Sequence, residues 1–331
     1  MEIQAKLSKY PISHSIWEEY ALDQEINDRG VMLDMPLVHN AIRADELTRS
    51  KLMQTLREIT DLDNPNSVTQ MKRWLAEQGL ELESLGKKEV AEALESKPGR
   101  LTVALEMRQS LSKSSVKKYI AMDNCVCADG RARGLFQYYG ANRTGRAAGR
   151  LIQAQNLPQT HLQGLEQARA LVCQGNYEAI EMLYPCTLDV LSQLIRTAFV
   201  PSEGKKLIVA DFSSIEAVVL GCLAGERWVL DAYSKGQDLY IKNAERMFNA
   251  KPGSVDKKSP LRQKSKIAVL ACGYSGSVGA LKAFGAVKMS IAEKDLQGIV
   301  DAWRSANPAI VKYWWDCDAD ECFLQVSQNR N

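Results

Sequence analysis

The chain has 331 residues, 45% of them apolar and 25% charged, with a formal net charge of +2. Those values exclude a disordered polyelectrolyte and a disulfide-stapled miniature, and leave room for two or three domains with cores of their own. No apolar run approaches the roughly 20 residues of a bilayer span, and Glu2, Lys6 and Lys9 interrupt the N-terminus where a signal-peptide core would lie, so a cytoplasmic setting without membrane is expected.

The first 125 residues or so read as helical throughout. Ser15 with Glu18 fits a capping box, Gly30 a stop, and Pro36 the first turn of the next helix. Ser67 with Gln70 makes a second box leading into Met71, Trp74 and Leu75. A long helix is predicted over about 101–120. It carries much of a basic tract at 97–118, where Lys97, Arg100, Arg108, Lys113, Lys117 and Lys118 face Glu106 as the single acid. Five arginines and no acid follow at 131–150. Such tracts either track a phosphate backbone or form solvated faces.

From Cys125 to Gln159 the texture turns to Gly, Arg, Asn and aromatic residues, with Leu135, Phe136, Tyr138 and Tyr139 predicting a strand that enters a polar loop. Cys125 and Cys127 form a C-x-C pair without a second pair or nearby histidines, so the eight cysteines are expected to be reduced thiols. The loop holds Arg143-Thr144-Gly145-Arg146, followed by Gln155-Asn156-Leu157-Pro158. Arginine and amide side chains there suit phosphates and minor-groove acceptors, or make an ordinary polar loop. Helices resume over about 165–197. The run Leu207, Ile208, Val209, Ala210 then predicts a buried strand delivering Asp211, with a helix starting near Ser213. A strand-end Asp offers a hard divalent cation its carboxylate beside the next carbonyl, or simply caps the following helix.

Arg262, Lys266, Leu270 and Tyr274 recur every four residues from a helix starting near Leu261, so they share one slowly drifting face. Its cationic end suits a triphosphate and its aromatic end a base. Gly273, Gly276 and Gly279 permit close approach or mark the helix end, and none completes a phosphate-binding Walker loop. Ser290 with Glu293 opens a further helix with Leu296, Ile299, Val300 and Trp303 inward. Asp316, Asp318, Asp320 and Glu321 read as the solvated face of a terminal helix. Many helices and few strands make the fold class α+β, mostly helical.

In this order and spacing the motifs resemble family A DNA polymerases, in particular their phage branch. The Asp211 stretch is similar to motif A, and Arg262 to Gly276 resembles motif B. The Thr-Gly-Arg loop with Asn156-Leu157-Pro158 looks like the palm segment before motif A. Residues 22–31 and Ser112-Lys113-Ser114-Ser115 are similar to stretches bordering the thumb, so nearly the whole chain is covered. The resemblance implies a right-hand architecture: a thumb-like region at 1–125, a partial palm at 126–225 and a fingers-like region at 226–331. It implies that Asp211, with the Phe212 carbonyl, binds Mg²⁺, that Glu216 gates against a ribose 2′-hydroxyl, and that Arg262 and Lys266 hold the triphosphate of a dNTP. Lys266 would be the general acid for pyrophosphate, Tyr240 a triphosphate contact, Leu270 a neighbour of the sugar, and Tyr274 a neighbour of the templating base. Primer-template DNA would meet Arg143, Arg146 and Asn156 at the minor groove, and Lys113 and Lys117 along the backbone.

Three positions depart from the family pattern: Val218 replaces the usual Arg, Leu270 the usual aromatic, and Cys222 a frequent Trp. The His-Asp-Glu of motif C does not occur in the sequence, and the Asp-x-Glu site of a proofreading exonuclease is not recognisable in it. The expectation is a phage or prophage polymerase fragment that synthesises little alone unless a second chain brings motif C. A catalytically inactive DNA- or nucleotide-binding protein is the alternative, and a helical scaffold a third that leaves the ordered motifs unexplained.

Overall fold

A computed structural model describes residues 6, 8–86, 89–90, 93–94, 99–142, 144–289 and 291–318. The chain divides into two compact units, Met1–Ile208 and Val209–Asn331. The boundary expected after residue 225 does not coincide with this division, because the helix at Ile215–Ala224 packs on helices of the second unit.

In the first unit, α1 spans His14–Arg29, β1 Val31–Leu33, α2 Met35–Thr60 and α3 Val68–Glu77. They are followed by α4 at Arg100–Leu111, α5 at Lys117–Cys125, and the short strands β2 (Arg131–Ala132), β3 (Phe136–Gln137) and β4 (Ala148–Gly149). Helices α6 (Leu165–Cys173), α7 (Tyr177–Leu183) and α8 (Thr187–Leu194) precede β5 at Phe199–Val200. Helix α2 is the spine. Asp34 caps it by accepting from the Leu37 amide at 3.2 Å, and Pro36 lies in its first turn, as the sequence predicts. Its first half (Leu37, Val38, Ala41) packs with Tyr119, Met122, Leu188 and Leu191, while Leu56 near its end packs with Met71, Leu75 and Leu105. The Tyr119 hydroxyl donates to the Leu191 carbonyl at 2.8 Å, and burial pushes its pKa far up.

Several expectations need correction. The first 125 residues are not helical throughout, because β1 pairs antiparallel with β2 and β5, Met32 standing opposite Arg131 and Val200. Gly30 admits this sharp exit from α1 at φ +60°, where a Cβ would strike the Ala132 carbonyl. The Ser15–Glu18 box does not form: α1 begins at His14, and Ser15 Oγ bonds to Ser13 Oγ at 3.0 Å instead. The second box does form at Ser67, with Met71, Trp74 and Leu75 buried behind it. The long helix expected over 101–120 is two helices. Arg49 captures the carbonyls of Leu111 and Lys113 at 2.6 and 2.8 Å, and Ser112 Oγ donates to the Gln109 carbonyl at 2.7 Å, which together end α4.

In the second unit, α9 spans Ile215–Ala224, α10 Arg227–Ser234, α11 Leu239–Met247 and α12 Pro260–Cys272. They are followed by α13 at Val278–Ala283, α14 at Leu296–Ala306 and α15 at Pro308–Asp318. The core joins Ile267, Ala268 and Ala271 of α12 to Leu281 of α13 and to Leu296, Ile299, Val300 and Trp303 of α14. That is the inward face the α14 spacing predicts; Ser290, its expected cap, lies outside the described residues. Burial in this core pushes the Cys272 thiol up to about 11.

Replacing Gly30 by Ala tests the α1–β1 junction. The left-handed φ together with the Ala132 contact is expected to cost about 2 kcal/mol in urea unfolding, and an unchanged midpoint would refute the reading.

Candidate functional site

The expected cationic helix face exists as α12. Ser259 Oγ accepts from the Leu261 amide at 3.2 Å to start it, and Pro260 occupies its first turn. Ser265, Ile267, Ala268, Ala271 and Cys272 turn into the core, leaving Arg262 and Leu270 half-buried and Lys266 and Tyr274 exposed. Arg262 is held by Asp238: its Nε and Nη2 both donate to Asp238 Oδ2, at 3.0 and 2.7 Å. The other carboxylate oxygen, Oδ1, accepts from the amides of Tyr240 and Ile241 at 2.9 and 3.1 Å, capping α11. Burial acts to raise the Asp238 carboxyl, but the Arg262 and amide hydrogen bonds outweigh it and hold it below the ordinary carboxylate range. The guanidinium lies 5.5 Å from the Tyr240 ring centroid and the Lys266 ammonium 6.0 Å from the same ring. One tyrosine is therefore flanked by both cations.

Asp211 is not at the end of a buried strand. Residues 207–210 carry no strand and are all exposed, Val209 at 94%, because no strand among the described residues pairs with them. Asp211 instead stands at the rim of a cavity of about 550 Å³ that is also lined by Phe212, Glu216, Tyr240, Leu270 and Tyr274. Ser214, at φ +52°, turns the chain from that rim into α9. Arg262 and Lys266 do not line the cavity and meet it through Tyr240. The acid, the tyrosines and the lower half of the α12 face thus share one space. Asp211 and Phe212, the expected donors to a divalent ion, both line this cavity. Among the described residues no three His, Cys, Asp or Glu side chains gather as a metal site, so the donor set is incomplete. Asp316 is exposed on α15, while Asp320 and Glu321 lie outside the described residues.

The residues expected on nucleic acid belong to the first unit. The predicted strand into a polar loop is the β3–β4 hairpin, with Phe136 opposite Gly149. Asn27 of α1 fixes it, accepting from the Phe136 amide at 2.9 Å and donating to the Phe136 carbonyl at 3.1 Å. Arg146 on its loop is exposed, as is Asn156 in the turn Ala154–Asn156; Arg143 lies outside the described residues. The basic tracts present less charge than the sequence suggests. Arg131 donates to the carbonyls of Arg29 and Gly30 and to Ser202 Oγ, and Arg133 forks onto Asp129 at 2.8 and 2.6 Å. Lys113 pairs with Asp189 at 2.8 Å, Lys118 donates to the Ile152 carbonyl at 2.6 Å, and Arg108 is buried. Lys117 is exposed. Asp238 was not singled out from the sequence, although an Asp just before the apolar start of α11 is a recognisable cap signal.

The family model described as DNA polymerase family A matches residues 44–320. A DNA polymerase of Bacillus phage SP02 is 49% identical over 318 residues, covering 96% of this chain and 49% of its own. DNA polymerase I of Chloroflexus aurantiacus is 32% identical over 120 residues, 36% of this chain and 12% of that one. A solved structure, the POL domain of Pol1 from M. smegmatis in complex with DNA primer-template and dNTP, aligns with TM-score 0.61 at 18% identity, over 87% of this chain and 46% of that one. The likeness to it shows the α+β, mostly helical fold. The chain spans about half the length of the phage relative and smaller shares of the others.

Asp238→Asn keeps a capping oxygen and removes the charge opposite Arg262. Because the folded carboxyl is held low, its stabilisation is complete above the unfolded value of roughly 3.9 and lost as pH falls through the folded value. Urea unfolding should therefore show the variant about 1 kcal/mol less stable near neutrality, with the gap closing below about pH 4. A gap independent of pH would contradict the assignment.

Proposed function

The chain belongs to DNA polymerase family A, and from that membership we propose that it serves template-directed nucleotidyl transfer, from a dNTP to a primer 3′-hydroxyl, in DNA replication. The observation that carries this reading is the grouping around Tyr240: two cations flank its ring, and the cavity it lines also takes in Asp211, Glu216 and Tyr274. A triphosphate needs convergent cations, and its sugar and base need an apolar room with an acid at the rim. Family A DNA polymerases generally use divalent metal ions, and a bound Mg²⁺ would neutralise phosphate charge and acidify the primer hydroxyl.

In this reading Arg262 and Lys266 hold the triphosphate oxygens, and Lys266, the more exposed of the two, gives a proton to the leaving pyrophosphate. Tyr240 contacts the triphosphate between them. Glu216 excludes a 2′-hydroxyl, Leu270 packs near the sugar and Tyr274, 61% exposed, reaches the templating base. Asp211 and the Phe212 carbonyl hold Mg²⁺. In the first unit Arg143, Arg146 and Asn156 take the minor groove, and Lys117 a backbone phosphate. Lys113 is tied to Asp189 and has to exchange that partner before it can do the same. The regions 1–125, 126–225 and 226–331 take the thumb, palm and fingers roles. The proposed partners are primer-template DNA, a dNTP and a second polypeptide that brings motif C, acting in the host cytoplasm if the chain is phage-encoded. No helix among the described residues is long and apolar enough to cross a membrane.

A second reading, DNA or nucleotide binding without catalysis, is favoured by one observation: Asp211 has no carboxylate companions forming a metal cluster among the described residues. Both readings predict duplex binding that weakens steeply with salt and a roughly tenfold loss of triphosphate affinity in Arg262→Ala or Lys266→Ala, about 1.4 kcal/mol. Primer extension separates them. The purified chain should extend a primer negligibly alone and measurably when a polypeptide carrying a His-Asp-Glu hairpin is added; no extension in either arm supports the binding reading. Triphosphate affinity unaffected by both substitutions would overturn the site itself.

A further inference from the structure

The second unit buries a set of polar side chains that nucleotide binding leaves unused. Asn243 of α11, Ser265 of α12 and Asn307 between α14 and α15 are 0%, 0% and 2% exposed. Asn243 Nδ2 donates to Ser265 Oγ at 3.1 Å and approaches Met247 Sδ at 3.2 Å. Its Oδ1 accepts from Asn307 Nδ2 at 3.1 Å, and Asn307 Nδ2 also donates to the Trp303 carbonyl at 2.8 Å. Three segments distant in sequence thus meet at one amide. The α14–α15 turn is held from two further sides. Arg246 of α11 donates to the Ala306 carbonyl at 3.2 and 3.0 Å, and buried Glu226 accepts the Ala309 and Ile310 amides at 2.8 and 3.4 Å.

Placement along the helices gives these bonds their meaning. Ser265 precedes Lys266 and lies three residues beyond Arg262; Asn243 lies three beyond Tyr240 and five beyond Asp238. The apolar contacts of α12, made by Ile267, Ala268 and Ala271, are non-directional and tolerate sliding or rotation. A buried hydrogen bond does not, because it fails within a few tenths of an ångström or a modest change of angle and leaves a donor unsatisfied. With 1.5 Å and 100° per helical residue, one such bond is enough to fix register.

We propose that Asn243, Ser265 and Asn307 form a positioning clasp. It sets the register of α12 on α11, so that Arg262 and Lys266 stay beside Asp238 and Tyr240, and it ties that register to the α14–α15 turn. Asn307 also lines the cavity, so a change in the cavity wall and a change in the cation pair are mechanically linked. The effect on nucleotides rests on the polymerase reading; the link between helices does not.

Ser265→Ala tests it, removing one hydroxyl from a helix position where alanine is well tolerated. Hydrogen–deuterium exchange should rise together in 260–268 and in 306–311, two segments far apart in sequence. The affinity for 2′-deoxyadenosine triphosphate with Mg²⁺ should fall about tenfold, and Tm should fall by a few degrees because the Asn243 amide loses a buried acceptor. A rise confined to α12, or an unchanged affinity in a chain whose Arg262→Ala control loses binding, overturns the clasp. If the unsubstituted chain binds no triphosphate, the polymerase reading fails on its own, and exchange still decides: a joint rise supports the clasp and a local one refutes it. Asn307→Ala provides the reciprocal case and should loosen 260–268 from the far side; a Tm loss without that loosening overturns the proposal.

Discussion

An arginine on a helix face has to be held in place without using up all its donors, and the grouping of Arg262, Lys266 and Tyr240 depends on how Asp238 does so. One oxygen takes two guanidinium N–H groups while the other starts α11. Of the five N–H donors a guanidinium carries, three remain for a ligand. Tyr240 follows in the first turn of the capped helix, which brings its ring within about 6 Å of both Arg262 and Lys266. The cap, the ion pair and the ring are therefore one device. A lysine at 262 would be a point charge, without the planar fork that lets one carboxylate orient it and leave an edge free.

Much of this was legible because the signals are local. The four-residue spacing on α12, the Ser67 cap, the inward face of α14 and the strand into the β3–β4 loop each depend on residues within a turn or two. What the sequence hid depends on partners elsewhere. The break between α4 and α5 rests largely on Arg49, sixty-odd positions away, and the serines at 112, 114 and 115 mark it only weakly. The basic tracts overstated the phosphate-facing charge because Arg108, Arg131, Arg133, Lys113 and Lys118 bond to carbonyls or acids inside their own unit. A count of like charges cannot separate a lysine that faces water from one that closes a loop.

The segment at 207–210 is the sharpest case. Four consecutive apolar residues are the correct signal for a strand buried on both faces, yet a strand is a property of a ladder and needs neighbours to satisfy its amides. Here those neighbours are not among the described residues, and Leu207, Ile208, Val209 and Phe212 stand exposed. Ile215, Val219 and Leu223 of α9, at intervals of four, are each at least two-fifths exposed. Phe212, Ile215, Val219 and Leu223 also line the cavity beside Asp211, so their exposure belongs to that space.

Exposure also sets what Asp211 can do electrostatically. An exposed carboxylate in water attracts a cation at 4 Å with only about 1 kcal/mol per unit charge, and roughly four times that where the effective dielectric falls to about 20. One exposed carboxylate is therefore too weak a hold for a divalent ion, which needs several oxygen ligands together.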